Sequence, residues 1–155
     1  MKCIKLTQRK YATVDDEDFA YLNQWKWFYH DGYVLRNLKR IKGKNQKKIS
    51  MHRLIAQTPN DMYTDHINGN GLDNRRNNLR ICTNQQNGMN RKVNINNTSG
   101  YKGVSWHKKG KKWQVQIKAE KFLYLGLFKS KIQAAKAYNQ KALKLFGEYA
   151  NLNEL

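Results

Sequence analysis

The chain has 155 residues, room for one ordinary domain or two small ones, and only 39% of them are hydrophobic, so any cores are small. Its formal net charge of +19 calls for a polyanionic partner or a strongly one-sided surface. No apolar run approaches the length of a membrane span, the opening Met-Lys-Cys-Ile-Lys-Leu is not expected to act as a secretion signal, and Cys3 and Cys82 form no CxxC pair, which argues against structural zinc or a disulfide framework.

Taken in order, Ile4 to Leu6 and Tyr11 to Val14 read as short strands around a polar turn at Gln8-Arg9-Lys10. Asp15 is the expected N-cap of a short helix whose first turn, Asp16, Glu17 and Asp18, suits the helix dipole, with Phe19 and Leu22 on its apolar side. Trp25, Trp27 and Tyr29 alternate with Lys26 and Phe28, and Tyr33 to Leu38 follow Asp31-Gly32, which predicts a hairpin. Trp25 and Trp27 read as a small core beneath it. The basic run from Lys39 to Lys48 has two readings, a solvated loop or a phosphate contact.

Residues 63 to 91 are the densest in chemistry. Asp65 and His66 close a short strand, an Asn-, Gly- and Asp-rich loop follows, Leu79 to Ile81 form a second strand, and Thr83 caps a helix over residues 84 to 90. The Asp65-His66 pair, the I-N-G-N turn, the D-N-R-x-x-N-L-R segment and the late Asn87 together resemble the HNH nuclease motif, in the variant carried by phage and intron-borne homing endonucleases. The preceding M-H-R-L-I segment is similar too.

The resemblance implies a ββα-metal site. In it His66 is the general base, Asp65 and Asn87 hold Mg²⁺ or Mn²⁺, and Asn78 braces the loop. The products carry 5′-phosphate and 3′-hydroxyl ends. His52 has two readings, a contact to phosphate or metal, or a packed histidine that supports the active site. Asn87 stands where the motif's name would place a histidine. An imidazole titrates near neutral pH and can take a proton from water, while a carboxylate and an amide oxygen suit a hard cation. Arg53, Arg75, Arg76 and Arg80 are the candidate phosphate contacts.

Residues 93 to 98 read as a polar linker, so the expected division is 1–92, with the nuclease core at 49–92, and 99–155. Beyond it the composition shifts: residues 98 to 155 hold twelve Lys, three Glu, no Arg and no Asp. Strands are predicted over Gly100 to Trp106, Trp113 to Ala119 and Phe122 to Phe128, then a helix opened by a Ser130-to-Gln133 capping box and stopped at Gly147. Its expected stripe is Ile132, Ala135, Tyr138, Ala142, Leu145 and Phe146.

The motifs Y-K-G-V, Y-L-G-L-F, A-A-K-A-Y-N and K-L-F-G-E-Y-A-N-L-N resemble the Apetala-type, ethylene-response-factor DNA-binding domain. That resemblance implies a sheet in the DNA major groove, with Lys102, Gly103, Ser105, His107, Gln116, Lys118 and Tyr124 facing DNA. The family carries arginine at several of these positions and tryptophan at Tyr124, so its usual target sequence is not implied.

The sequence therefore predicts an α+β protein. Its expected activity is metal-dependent, site-specific cleavage or nicking of double-stranded DNA in a cytoplasm, by a monomer with no membrane and no small-molecule substrate. A non-catalytic DNA-binding regulator with a decayed nuclease domain is the alternative, and RNA binding is a third reading.

Overall fold

A computed structural model describes residues 1–91 and 93–155 and divides the chain into two compact units, Met1–Asn87 and Gly88–Leu155. The expected end of the nuclease half, residue 92, lies outside the described residues.

The first unit opens with β1 (Lys2–Lys5) and β2 (Tyr11–Val14), antiparallel strands joined by a turn in which Gln8 and Arg9 take positive φ. Helix α1 (Asp16–Leu22) follows. Asp15 makes no side-chain cap bond to it; its carboxylate instead accepts the backbone N–H of Arg76. Strands β3 (Phe28–His30), β4 (Tyr33–Asn37) and β5 (Lys48–Ser50) form the predicted hairpin and extend it by one strand. Its turn, Asp31 at φ 47° and Gly32 at φ 89°, has the doubly positive pattern that matches strand twist in two-residue hairpins.

Trp27 is 3% exposed and its indole N–H donates to the Leu22 carbonyl, while Arg36 stacks 4.0 Å from the Trp25 ring centre. These tryptophans are structural, as expected. They join Ile4, Val14, Leu22, Val34 and Met51 in one core. The basic run between β4 and β5 is exposed throughout.

Helix α2 (Met51–Ala56) buries Met51, His52 and Ile55. Strands β6 (Tyr63–His66) and β7 (Leu79–Cys82) pair antiparallel, with Asp65 opposite Arg80 and His66 opposite Leu79. A 3₁₀ turn, Arg76–Asn78, leads into β7. Helix α3 (Asn84–Met89) is closed at its start by a reciprocal pair: Thr83 Oγ1 accepts the Gln86 N–H, and Gln86 Oε1 accepts the Thr83 N–H.

The second unit holds β8 (Val104–His107), β9 (Lys112–Lys118) and β10 (Phe122–Phe128) in an antiparallel sheet of order β10-β9-β8, backed by α4 (Lys131–Phe146). Strand β8 starts later than predicted. The Ser99 hydroxyl, bonded to Tyr101 and Val104 carbonyls, bends the preceding residues out of the ladder. Ser130 makes no side-chain cap bond, so the expected capping box does not form.

The buried stripe of α4 is Ala134, Ala135, Tyr138, Ala142 and Phe146; Ile132 and Leu145 are exposed, against expectation. Small alanines let the helix approach Val115 and Ile117, and a flanking isoleucine or leucine lies beyond that narrow contact. No helix of the described residues is long and apolar enough to cross a membrane.

Candidate nuclease site and candidate DNA-binding sheet

The loop between β6 and β7 is shaped by amide side chains. The Asn78 amide donates to the Asp73 carbonyl at 2.8 Å and to Asn68 Oδ1 at 3.1 Å, while its own Oδ1 accepts the Asn68 N–H at 3.0 Å. One side chain thus ties the loop's start to its end. Asp73 accepts two bonds from Arg75, whose guanidinium holds that carboxyl below the usual carboxylate range. The loop is anchored on β2, where Thr13 donates to the Leu72 carbonyl and accepts the Asn74 N–H.

Asp65 and His66 are brought to one place by β6, at 7% and 4% exposure. The Asp65 carboxylate accepts the Arg80 Nε and Nη2 at 2.9 and 2.7 Å, as direct cross-strand opposition allows. His66 Nε2 lies 3.5 Å from Oδ1 of the fully buried Asn74. An amide oxygen only accepts, so this contact is a hydrogen bond in the tautomer that carries its proton on Nε2. Burial pulls the His66 pKa below its ordinary value, against opposing contributions from Asn74, Asp65 and Asp73. The imidazole is therefore neutral at physiological pH.

His52 packs beside it, ring centres 5.0 Å apart. Its Nδ1 is buried with no partner among the described residues, and burial, then the neighbouring His66 and Arg53, bring its pKa down to about 3. Asn87 sits half-buried on α3, its backbone N–H bonded to the Thr83 carbonyl. Among the described residues no three of His, Cys, Asp or Glu gather into a metal-holding group.

The four arginines expected to meet phosphate all have partners inside the protein. Arg53 donates to the Thr58, Pro59 and Met62 carbonyls, Arg75 to Asp73, Arg76 to Asp18 with Glu17 close by, and Arg80 to Asp65. Arg75, Arg76 and Arg80 brace the loop and its strands, and Arg53 braces the turn before β6. Sequence reasoning missed Asn74, Asp73 and Asp18 in this framework. The buried D-N pair inside the D-N-R-x-x-N-L-R segment was the available signal.

Residues 51–89 match the family model described as HNH endonuclease. This segment is an HNH endonuclease domain. The chain is similar to an uncharacterised HNH endonuclease of Acanthamoeba polyphaga mimivirus, 29% identical over 152 residues, spanning 94% of this chain and 75% of that protein. Protein 3.8 of Escherichia phage T7 is 42% identical over 62 residues, 40% of this chain and 51% of that one. APETALA2-like protein 2 of Oryza sativa is 37% identical over 59 residues, 36% of this chain and 13% of the plant protein. With its HNH domain and a named HNH endonuclease relative, the chain is a nuclease acting on DNA.

In the second unit, strand register sorts the residues expected to face DNA. Val115 and Ile117 point to α4, so Gln116 and Lys118 point away, and Tyr124 and Phe122 lie opposite them on β10. Ser105, Gln116, Lys118 and Tyr124 are exposed on this open face, and Phe122, not singled out from sequence, is 69% exposed there. His107 also lies on this side and accepts the Gly110 N–H at Nδ1.

Gly103 and Lys102 are different. A Cβ on Gly103, which has φ +73°, would lie 2.3 Å from the Tyr138 ring, so this glycine serves close sheet–helix packing. The Lys102 ammonium donates to the Met89 carbonyl, and burial lowers its pKa to about 8. Both residues, which the Apetala-type resemblance places at DNA, also hold the fold together. Asn153, 8% exposed, bonds Lys102 and Asn139 at once and ties the chain end to the sheet.

Proposed function

We propose that the protein is a metal-dependent, site-specific endonuclease that cleaves or nicks duplex DNA, of the homing kind. His66 takes a proton from the attacking water and Asn78 keeps the loop in shape. The supporting observation is the buried Asp65-His66 pair on β6, with Arg80 fixing the carboxylate, Asn74 orienting the imidazole and burial favouring its neutral form.

A carboxylate and a carboxamide are hard oxygen donors, suited to an ion that keeps several waters and shares a substrate phosphate. Asp65 and Asn87 would hold such an ion, Mg²⁺ or Mn²⁺, and when bound it would supply charge neutralisation at the phosphate and leaving oxygen. Relatives in a giant virus and a phage are in keeping with a mobile-element setting. The plant relative and the open face of the β8–β10 sheet support an Apetala-type reader that contacts DNA through Ser105, His107, Gln116, Lys118 and Tyr124.

The deciding experiment is plasmid cleavage with and without Mg²⁺ or Mn²⁺. Supercoiled DNA should become nicked or linear only with the ion present, and product in the presence of excess chelator would defeat the metal-dependent reading.

A further inference from the structure

The HNH match begins at residue 51, yet the structure carries one exposed side chain from the preceding hairpin to the nuclease histidines. Tyr33 opens β4 directly after the Asp31-Gly32 turn. Its ring centre is 5.5 Å from that of His52 and 6.0 Å from that of His66. Gly71 of the site loop seats this turn: a Cβ there would lie 2.3 Å from the Gly32 carbonyl oxygen and 3.0 Å from Tyr33 Cδ1. The hairpin tip and the loop therefore fit only with a glycine between them.

Tyr33 itself is 47% exposed, whereas His52 and His66 beneath it are 8% and 4% exposed. No hydrogen bond of its hydroxyl is found among the described residues. A phosphodiester whose attacking water is close enough to give His66 a proton must come within a few ångströms of that imidazole. At 6.0 Å between the two rings, such a substrate also meets Tyr33.

We propose that Tyr33 is a substrate-contacting residue of the nuclease site, its phenol donating a hydrogen bond to a non-bridging oxygen of the phosphodiester that His66 serves. This rests on His66 acting as the base. Charge grows on those oxygens as water attacks, so a preplaced neutral donor strengthens its bond in the transition state. No proton is transferred from the phenol. The hairpin of the first 50 residues thereby completes the site rather than only propping it up.

The test uses the full chain on supercoiled plasmid with Mg²⁺ or Mn²⁺, in single-turnover cleavage at saturating protein, with DNA affinity measured in parallel. Tyr33→Phe keeps the ring against the histidines and removes only the hydroxyl. It should cut about 10-fold or more slowly, the loss expected for one hydrogen bond to a charged group. Its affinity and melting temperature should stay near wild type. Tyr33→Ala should be at least as slow.

A Tyr33→Phe protein cutting at the wild-type rate overturns the proposal, leaving Tyr33 a packing residue. A Tyr33→Phe protein that reaches the wild-type rate at saturation and differs only in weaker DNA affinity also overturns it, since the hydroxyl then aids binding alone. His66→Ala, run beside it, separates the two ideas: activity surviving in His66→Ala defeats the nuclease-site reading itself.

Discussion

At the scale of single residues, neighbours have set protonation and orientation. The general-base role proposed for His66 needs a neutral ring at working pH, which burial favours while Asn74 orients the ring. His66→Ala should lower single-turnover cleavage by at least about 10²-fold, because general-base catalysis contributes that much. Duplex affinity should hardly change, since the base acts in the transition state. Cleavage kinetics and a binding titration on the same protein check this.

His52 bears on stability. Its pKa falls from an ordinary 6.5 to about 3 on folding, mainly through burial. Between those values the unfolded chain binds a proton that the folded chain does not, so stability rises with pH there and is lost as acid is added. Urea midpoints from pH 7 down to pH 4 should fall for wild type and fall less for His52→Phe, which lacks the titrating group. Identical slopes would mean that His52 titrates alike in both states.

At the scale of elements, two short devices deserve measurement. The Thr83–Gln86 capping pair closes the start of α3, a helix of only six residues that has no buried face of its own. Thr83→Ala should destabilise it by about 1 kcal/mol. Because α3 carries Asn87, cleavage should become more dependent on added Mg²⁺, which a metal titration of the cleavage rate would show.

In the second unit the sheet–helix contact leaves no space at Gly103. Gly103→Ala should cost at least about 2 kcal/mol, from a positive φ and from overpacking against Tyr138 together. Thermal unfolding of the variant, read by circular dichroism, is the check. A melting temperature unchanged from wild type would show that the strand shifts freely.

For the whole molecule, charge and division into units dominate. A net charge of +19 should make DNA affinity fall steeply with salt, with a log–log slope of about −0.9 for each phosphate neutralised. With Arg53, Arg75, Arg76 and Arg80 all bonded within the protein, exposed lysines such as Lys118 and those between β4 and β5 should account for most of that slope. Charge-neutral substitutions there should flatten it.

The second unit has its own core, and Met89 and Asn90 belong to it: Met89 packs on that core and accepts from Lys102, and the Asn90 carbonyl accepts the Asn151 amide. A fragment of residues 88–155 should therefore fold and bind duplex DNA, more stably than one beginning at residue 98. Comparison of the two by thermal unfolding and DNA titration tests this. An unfolded 88–155 fragment would show that this core is too small to stand alone.

The features legible in the sequence alone lie close together along the chain. The strand that ends in Asp65-His66, the Thr83 cap, the Asp31-Gly32 hairpin and the alternation of Val115 and Ile117 with Gln116 and Lys118 each follow from local pattern. Backbone periodicity and turn chemistry act over a few residues, so they can be read in order. Only tertiary structure decided the partners of the charged and polar side chains. Arg76 meets Asp18 across 58 positions, Lys102 meets Asn153 across 51, and Tyr33 reaches His66 from a separate hairpin. A cationic side chain looks equally ready for phosphate or for a carboxylate until folding brings the carboxylate within hydrogen-bonding distance, and no periodicity in the chain encodes that distance.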